Sequence, residues 1–256
     1  MFGGIWTVLR KLKGGRSRHM LLGAVCLTLA MGAANGAGLA AAPAGSGLLG
    51  FAERRHEDLS AFTKWADMLS RHQWEEDHAD RPQPCRVSAD FSCPRDRWQN
   101  LIRELEGRPV AEQIAAVDAF FNAVPYVEDV ANWGVPDYWA TPREFLERGG
   151  DCEDHAIAKY FTLKALGVDP AAMRLMVVED LNLRMPHAVL AVRLDDGVVV
   201  LDNQAARPMN AAAVDRYRPI YSINQEAWWL HRATDPAISP AEGKAATRGV
   251  TAPRRP

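Results

Sequence analysis

The spacing of apolar residues changes part-way along this chain, from a helical period to a strand period. Between Glu53 and His72, the residues Leu59, Phe62, Trp65 and Leu69 fall on one helical face, and Glu75-Glu76-Asp77 reads as the acidic turn that follows. Residues 80–95 read as a loop. Trp98, Leu101, Ile102 and Leu105 predict a short helix over Asp96–Glu106, and Val110, Ile114, Val117, Phe121 and Val124 keep the period of a strongly amphipathic one. Pro125–Ala140 sets Tyr126, Trp133, Tyr138 and Trp139 among Pro, Gly and Asn, an aromatic loop whose rings cap a core, line a cleft or meet a partner. Thr141-Pro142-Arg143-Glu144 is a capping box with proline at the first helical position, and that helix stops at Gly149-Gly150. Another starts at once, with Asp151 as N-cap, and runs from Cys152 to Leu166 before Gly167 ends it.

Strands follow. Leu175–Val178, Ala188–Val192 and Val198–Leu201 are short, apolar and rich in valine, and Asp195-Asp196-Gly197 between the last two is a hairpin signal. Pro219–Ile223 reads as a further extended segment. Helices first and an antiparallel sheet second define an α+β domain.

A length of 256 residues suffices for a substantial core, and 24% charged residues exclude a polytopic membrane protein and a wholly disordered chain. The net charge of −2 shows no basic excess for nucleic acid. That charge is unevenly spread. Residues 1–52 carry Arg10, Lys11, Lys13, Arg16 and Arg18 and no acid, and the apolar run Met20–Met31 leads to Ala40-Ala41-Ala42 or Ala42-Pro43-Ala44. Residues 1–44 therefore read as a secretory signal, with an uncleaved inner-membrane anchor as the alternative. Cleavage near residue 44 removes five positive charges and leaves a mature chain near −7. The expected organisation is an export segment over 1–44, one domain over 45–234 and a mobile tail over 235–256, rich in Pro, Ala, Thr and Arg. Export also sorts the four cysteines. Cys26 leaves with the signal, Cys85 and Cys93 can close a small loop in an oxidising compartment, and Cys152 is left over.

Cys152 lies in the first turn of its helix, where the N-terminal dipole favours a thiolate, behind two glycines that permit close approach. A thiolate nucleophile needs an imidazole base, itself oriented by a third group. His187 heads one hairpin strand and Asp202 follows its neighbour, on one face and two or four residues from direct opposition, according to which two residues turn. His155 shares a helical face with Cys152 but has no evident acid to orient it, so a core role suits it better. His72 and His78 around Glu75 and Glu76 lack a metal-site spacing and read as a solvated face. Asp151, Glu153 and Asp154 pose a difficulty, because neighbouring carboxylates oppose a thiolate. Two readings stay open for them: capping of the helix start, or a hard-oxygen Ca²⁺ site that cancels their charge.

The segments VPYVEDVANWGVPDYWATPREFLERGGDCEDHAIAKYFTLKALGV, MPHAVLAV, VVVLDNQ and PIYSINQEAWWL resemble the bacterial transglutaminase-like cysteine proteases of the LapG type, from about Phe120 to Leu230. The resemblance implies a papain/transglutaminase-like fold with a Cys152–His187–Asp202 triad and a calcium site at Asp151, Glu153 and Asp154. It further implies a periplasmic endopeptidase that cuts a large outer-membrane adhesin near an N-terminal Ala-Ala pair and is sequestered by an inner-membrane receptor for cyclic di-GMP. An acyl-transferring relative of the same fold and a non-catalytic binding module are the alternatives, the second disfavoured by the intact triad. A homodimer stays open, since Trp228-Trp229 can pack inside or against a second copy.

Overall fold

The computed structural model describes residues 47–79 and 93–233, so the expected export segment, the whole of the expected tail and Cys85 lie outside the described residues. Cys93, at the edge of the described part, is disulfide-bonded. Among the described residues, six α-helices precede most of the sheet: α1 (Thr63–Asp77), α2 (Pro94–Leu105), α3 (Val110–Asn122), α4 (Asp129–Trp133), α5 (Pro142–Arg148) and α6 (Cys152–Ala165). The strands are β1 (Ala52–His56), β2 (Met173–Asp180), β3 (Met185–Leu194), β4 (Gly197–Leu201), β5 (Met209–Asn210), β6 (Tyr217–Ile223) and β7 (Trp228–Arg232). They form one sheet in the order β1-β7-β6-β2-β3-β4-β5, with every neighbouring pair antiparallel. The α+β reading therefore holds, with helices packed on an antiparallel sheet.

The start of the first expected helix is wrong. Ala52–His56 is not helical but an edge strand on β7, and α1 begins only at Thr63 and runs on through the expected acidic turn to Asp77. The strand has the sequence AERRH, without the alternation that marks a half-buried strand, and its pairing with Trp228–Arg232 comes from tertiary contact. His56 stacks on Trp228 with ring centroids 4.4 Å apart. Trp228 and Trp229 are themselves buried, and the Arg174 guanidinium lies 3.6 Å above the Trp229 ring, so this pair packs within the chain.

The two faces of the sheet are unequal. Leu175 and Val177 of β2 and Leu190 and Val192 of β3 face the helices in the main core with Trp65, Phe121, Phe145 and Tyr160. Their alternates Met176, Val178, Val189 and Ala191 form a smaller cluster on the other face with Leu48, Val200, Ala211 and Tyr217. Helix α6 is the central element: every residue from Cys152 to Leu163 is buried. The helix is buried on all sides although it carries Glu153, Asp154, His155 and Lys159, and it packs against β2 and β3 on one side and α3 and α5 on the other. Among the described residues no helix is long and apolar enough to cross a membrane.

Candidate active site

The chain reaches Cys152 through a tightly specified turn. Thr141 caps α5: the Glu144 N–H donates to Thr141 Oγ1 at 3.2 Å, and the Thr141 N–H donates to Glu144 Oε2 at 2.9 Å. Gly149 ends α5 at φ +77°, with Pro125 O only 2.5 Å from where a Cβ would stand. At Gly150 a Cβ would lie 2.1 Å from Asp154 Oδ2. The two glycines thus admit the Pro125–Val127 backbone, which pairs with Gly150, and a carboxylate from the helix they precede.

Cys152 then opens α6 with 3% of its surface exposed. Its Sγ donates to Glu153 Oε2 at 3.3 Å. Burial, followed by the charges of Glu153 and Asp151, pushes this thiol well above its ordinary range, while the Ala188 N–H on β3 favours the thiolate. The carboxylates oppose the dipole, as like charges must.

The residue before Ala188 is His187. The β3–β4 hairpin pairs Leu194 with Gly197 and Leu190 with Leu201, so Asp195-Asp196 is the turn and Asp202 sits two residues short of direct opposition to His187, the shorter of the two offsets. His187 Nε2 lies 2.9 Å from Asp202 Oδ1, with both side chains at 3% exposure or less. A carboxylate can only accept, so in the neutral ring the proton belongs on Nε2 and the lone pair on Nδ1. Gln204 Nε2 lies 3.5 Å from Nδ1, longer than an ordinary hydrogen bond.

The acidic side chains fall into two groups. Asp151, Cys152 and Glu153 bring potential ligand atoms within 4.8 Å of one another, and so do Asp129, Asp151 and Asp154. Asp154 is a capping carboxylate, accepting from the Ala140 N–H at 2.7 Å and the Asp151 N–H at 3.3 Å. Asp129 Oδ1 and Asp151 Oδ1 are buried with no hydrogen-bond partner. Burial, with the Asp151 charge second, pushes Asp129 up to about 7, and burial raises Asp151 and Asp154 as well. Buried carboxylates that crowd together and leave oxygens unpaired fit a hard cation such as Ca²⁺. Of the three acids singled out in the sequence, Asp151 and Asp154 meet at this cluster, and Glu153 adjoins it on the thiol side. Asp129 is the residue missed: it stands at the first position of α4, inside the segment read as an aromatic loop.

Other candidates are dispersed. His155 is buried edge-on to Phe145 at 4.6 Å, and burial pushes it down to about 3, a core histidine. His72 packs on Phe161 at 4.2 Å, whereas Glu75 accepts from Thr141 Oγ1 at 2.9 Å, so no metal set forms there. Trp139 is a core residue, 5% exposed. Trp133 stacks on Tyr138 at 4.3 Å and lines a separate cleft of about 400 Å³ with Arg71 and Trp74. The aromatic beside the nucleophile is Tyr126, about half exposed, which lines a narrow cleft with Val130, Met185, Asp151 and Glu153.

A buried helix that opens on cysteine, laid against an antiparallel strand with histidine near its start, is the plan of the papain/transglutaminase-like cysteine proteases. The sequence profile of the bacterial transglutaminase-like cysteine proteinases matches residues 85–232. Calcium-bound Legionella pneumophila LapG is 31% identical, aligned over 69% of this chain and 93% of that one with a TM-score of 0.52. A structure of the same Legionella protein treated with EGTA is 37% identical over 55% and 77% of the two chains, with a TM-score of 0.50. No curated protein matches the sequence. The chain belongs to the bacterial transglutaminase-like cysteine proteinases and is a protease of the LapG type.

Proposed function

We propose that this protein is an exported, calcium-dependent cysteine endopeptidase of the periplasm. Its substrate is the N-terminal region of a large outer-membrane adhesin, cut near an Ala-Ala pair so that the adhesin is released and the biofilm disperses. An inner-membrane receptor responsive to cyclic di-GMP restrains it by sequestration. The observation that carries the catalytic part is the buried His187–Asp202 contact of 2.9 Å on the strand whose Ala188 amide addresses the Cys152 sulfur. Likeness to a LapG structure solved with calcium supports the metal dependence, and the substrate and receptor rest on the resemblance to that family.

On this reading His187 Nδ1 takes the proton from Cys152 Sγ, and Asp202 stabilises the imidazolium through Nε2. The thiolate adds to the scissile carbonyl, and the Cys152 backbone N–H, at the start of α6, donates to the oxyanion. Collapse of the tetrahedral adduct breaks the C–N bond, and the imidazolium gives its proton to the departing amine. Water, deprotonated by His187, then cleaves the thioester and restores the thiol. Asp151 and Asp154, joined by Asp129 and bordered by Glu153, would hold the calcium ion. Bound there, it supplies positive charge that offsets the carboxylates opposing the Cys152 thiolate.

The test is cleavage of a purified adhesin N-terminal fragment by wild type, by Cys152→Ala, and by wild type after verified removal of calcium. Wild type alone is expected to yield two shorter chains. Cleavage by Cys152→Ala overturns the mechanism, cleavage without calcium overturns the metal dependence, and cross-linked product identifies acyl transfer to an amine instead.

A further inference from the structure

Asp202 has no strand to hold it. It follows Leu201, the last residue of β4, and opens the irregular segment that leads to β5. Connecting segments are the mobile parts of most folds, yet a catalytic constellation must be held to within about 0.5 Å. The helical layer meets that need from behind. Asn122, the last residue of α3, donates its Nδ2 hydrogens to the carbonyls of Asp202 and Ala205, both at 3.1 Å. The Asn122 amide cannot turn over, because Lys159 Nζ lies 2.6 Å from its Oδ1 and an ammonium has only donors to offer. Lys159 is in turn 2.7 Å from Asp118 Oδ1, with side-chain exposures of 0% and 1%.

An ion pair buried this completely is a costly way to stabilise a fold. Burial pushes Lys159 down and Asp118 up in spite of their contact, and apolar residues of similar volume often stabilise as well or better. What apolar residues cannot do is orient the Asn122 amide. We propose that the buried Lys159–Asp118 pair is a positioning device for Asp202, acting through Asn122. The proposal rests on the reading of Asp202 as the group that orients His187. Lys159 lies about two helical turns beyond Cys152 on α6, so one helix places the nucleophile and, through Asn122, the far member of the set.

Two variants of the full-length chain test it. Asn122→Asp keeps an acceptor for Lys159 but turns the donor facing Asp202 and Ala205 into a second acceptor. The double variant Lys159→Met with Asp118→Leu removes both charges at similar volume and is expected to melt no lower than wild type. Both are expected to lower kcat on the adhesin fragment roughly ten- to hundredfold with KM little changed, the scale of a small misplacement. In a Cys152→Ala background at alkaline pH, the ¹⁵N signals of His187 should show one tautomer protonated at Nε2 in the parent and a mixture in both variants. Folded variants that keep the single tautomer overturn the proposal. The tautomer reading decides even where the adhesin fragment is not cut by wild type, so failure of the proposed function and failure of the positioning device give different results.

Discussion

Tyr217 donates its hydroxyl to Asp202 Oδ2 at 2.5 Å, on the carboxylate oxygen that does not face His187. Arg216 reaches the same oxygen at 2.6 Å, and the Gln204 N–H reaches Oδ1 at 2.9 Å. Burial opposes ionisation of Asp202, but the hydrogen bond and charge of His187, with the Tyr217 hydroxyl, overcome it and hold the carboxyl well below its usual range. Each oxygen therefore has two partners, and the carboxylate has one orientation left to it.

Removing the Tyr217 hydroxyl tests that orientation. Tyr217→Phe keeps the ring that packs 5.7 Å from His187 and deletes a hydrogen bond to a charged group, worth about 1.5–3 kcal/mol. Denaturant unfolding should show a loss of that size, and kcat/KM should fall roughly tenfold. An unchanged kcat/KM in a measurably destabilised variant would mean that Arg216 and Gln204 position Asp202 without it.

Calcium binding should depend on Asp129 as strongly as on the acids around Cys152. Asp129→Asn preserves the acceptor for the Tyr138 N–H and removes one of three carboxylate charges from the cluster. Ligand charge sets calcium affinity, so titration calorimetry should show binding weakened by about tenfold or more. The rise in melting temperature that calcium gives the wild type should shrink in step. Equal affinity in the variant would place the ion elsewhere.

Why Asp129 escaped notice, while Cys152, His187 and Asp202 did not, is a matter of what local pattern can encode. Cys152 is marked by a helix start, and His187 and Asp202 by the ends of two strands joined by an evident turn, so their spacing alone brings the last two onto one face. Asp129 gains its meaning from Asp151 and Asp154, more than twenty residues further on, and nothing in the aromatic loop reveals that its side chain is buried. Asp118 and Lys159 are likewise ordinary charged residues on helices until α3 is laid against α6. The edge strand β1 was hidden for a related reason. Its charged sequence gains a pairing partner only when β7 folds beside it.

Glu75 predicts a pH dependence of stability. Burial, opposed by the hydrogen bond from Thr141, raises its pKa to about 7 from an unfolded value of 4.5. The native state then holds a proton that the unfolded chain releases, so this contribution is complete below about pH 4.5 and is lost as pH rises through 7. Glu75→Gln stays neutral throughout. The melting temperature of the variant minus that of wild type should therefore increase between pH 4.5 and 8. A difference that is flat across this range would show that Glu75 titrates alike in both states.

Gly150→Ala should disable the metal cluster without touching any of its ligands. A Cβ at this position would stand 2.1 Å from Asp154 Oδ2 and 2.8 Å from Asp154 Cγ, distances that force the carboxylate aside. Asp154 then loses its bond from the Asp151 N–H, which caps α6, and its place beside Asp151 and Asp129. Two consequences separate this from generic damage. The melting temperature without calcium should fall modestly, by the loss of a helix cap worth about 0.5–2 kcal/mol. Calcium affinity, in contrast, should fall at least as far as in Asp129→Asn, because the displaced carboxylate carries a full charge out of the cluster. Gly134→Ala is the control, since its φ of +71° imposes backbone strain with no atom within 4 Å of the new Cβ. That variant should lose stability and keep its calcium affinity. If Gly150→Ala behaves like Gly134→Ala, the close approach of Asp154 to Gly150 has no part in holding the ion.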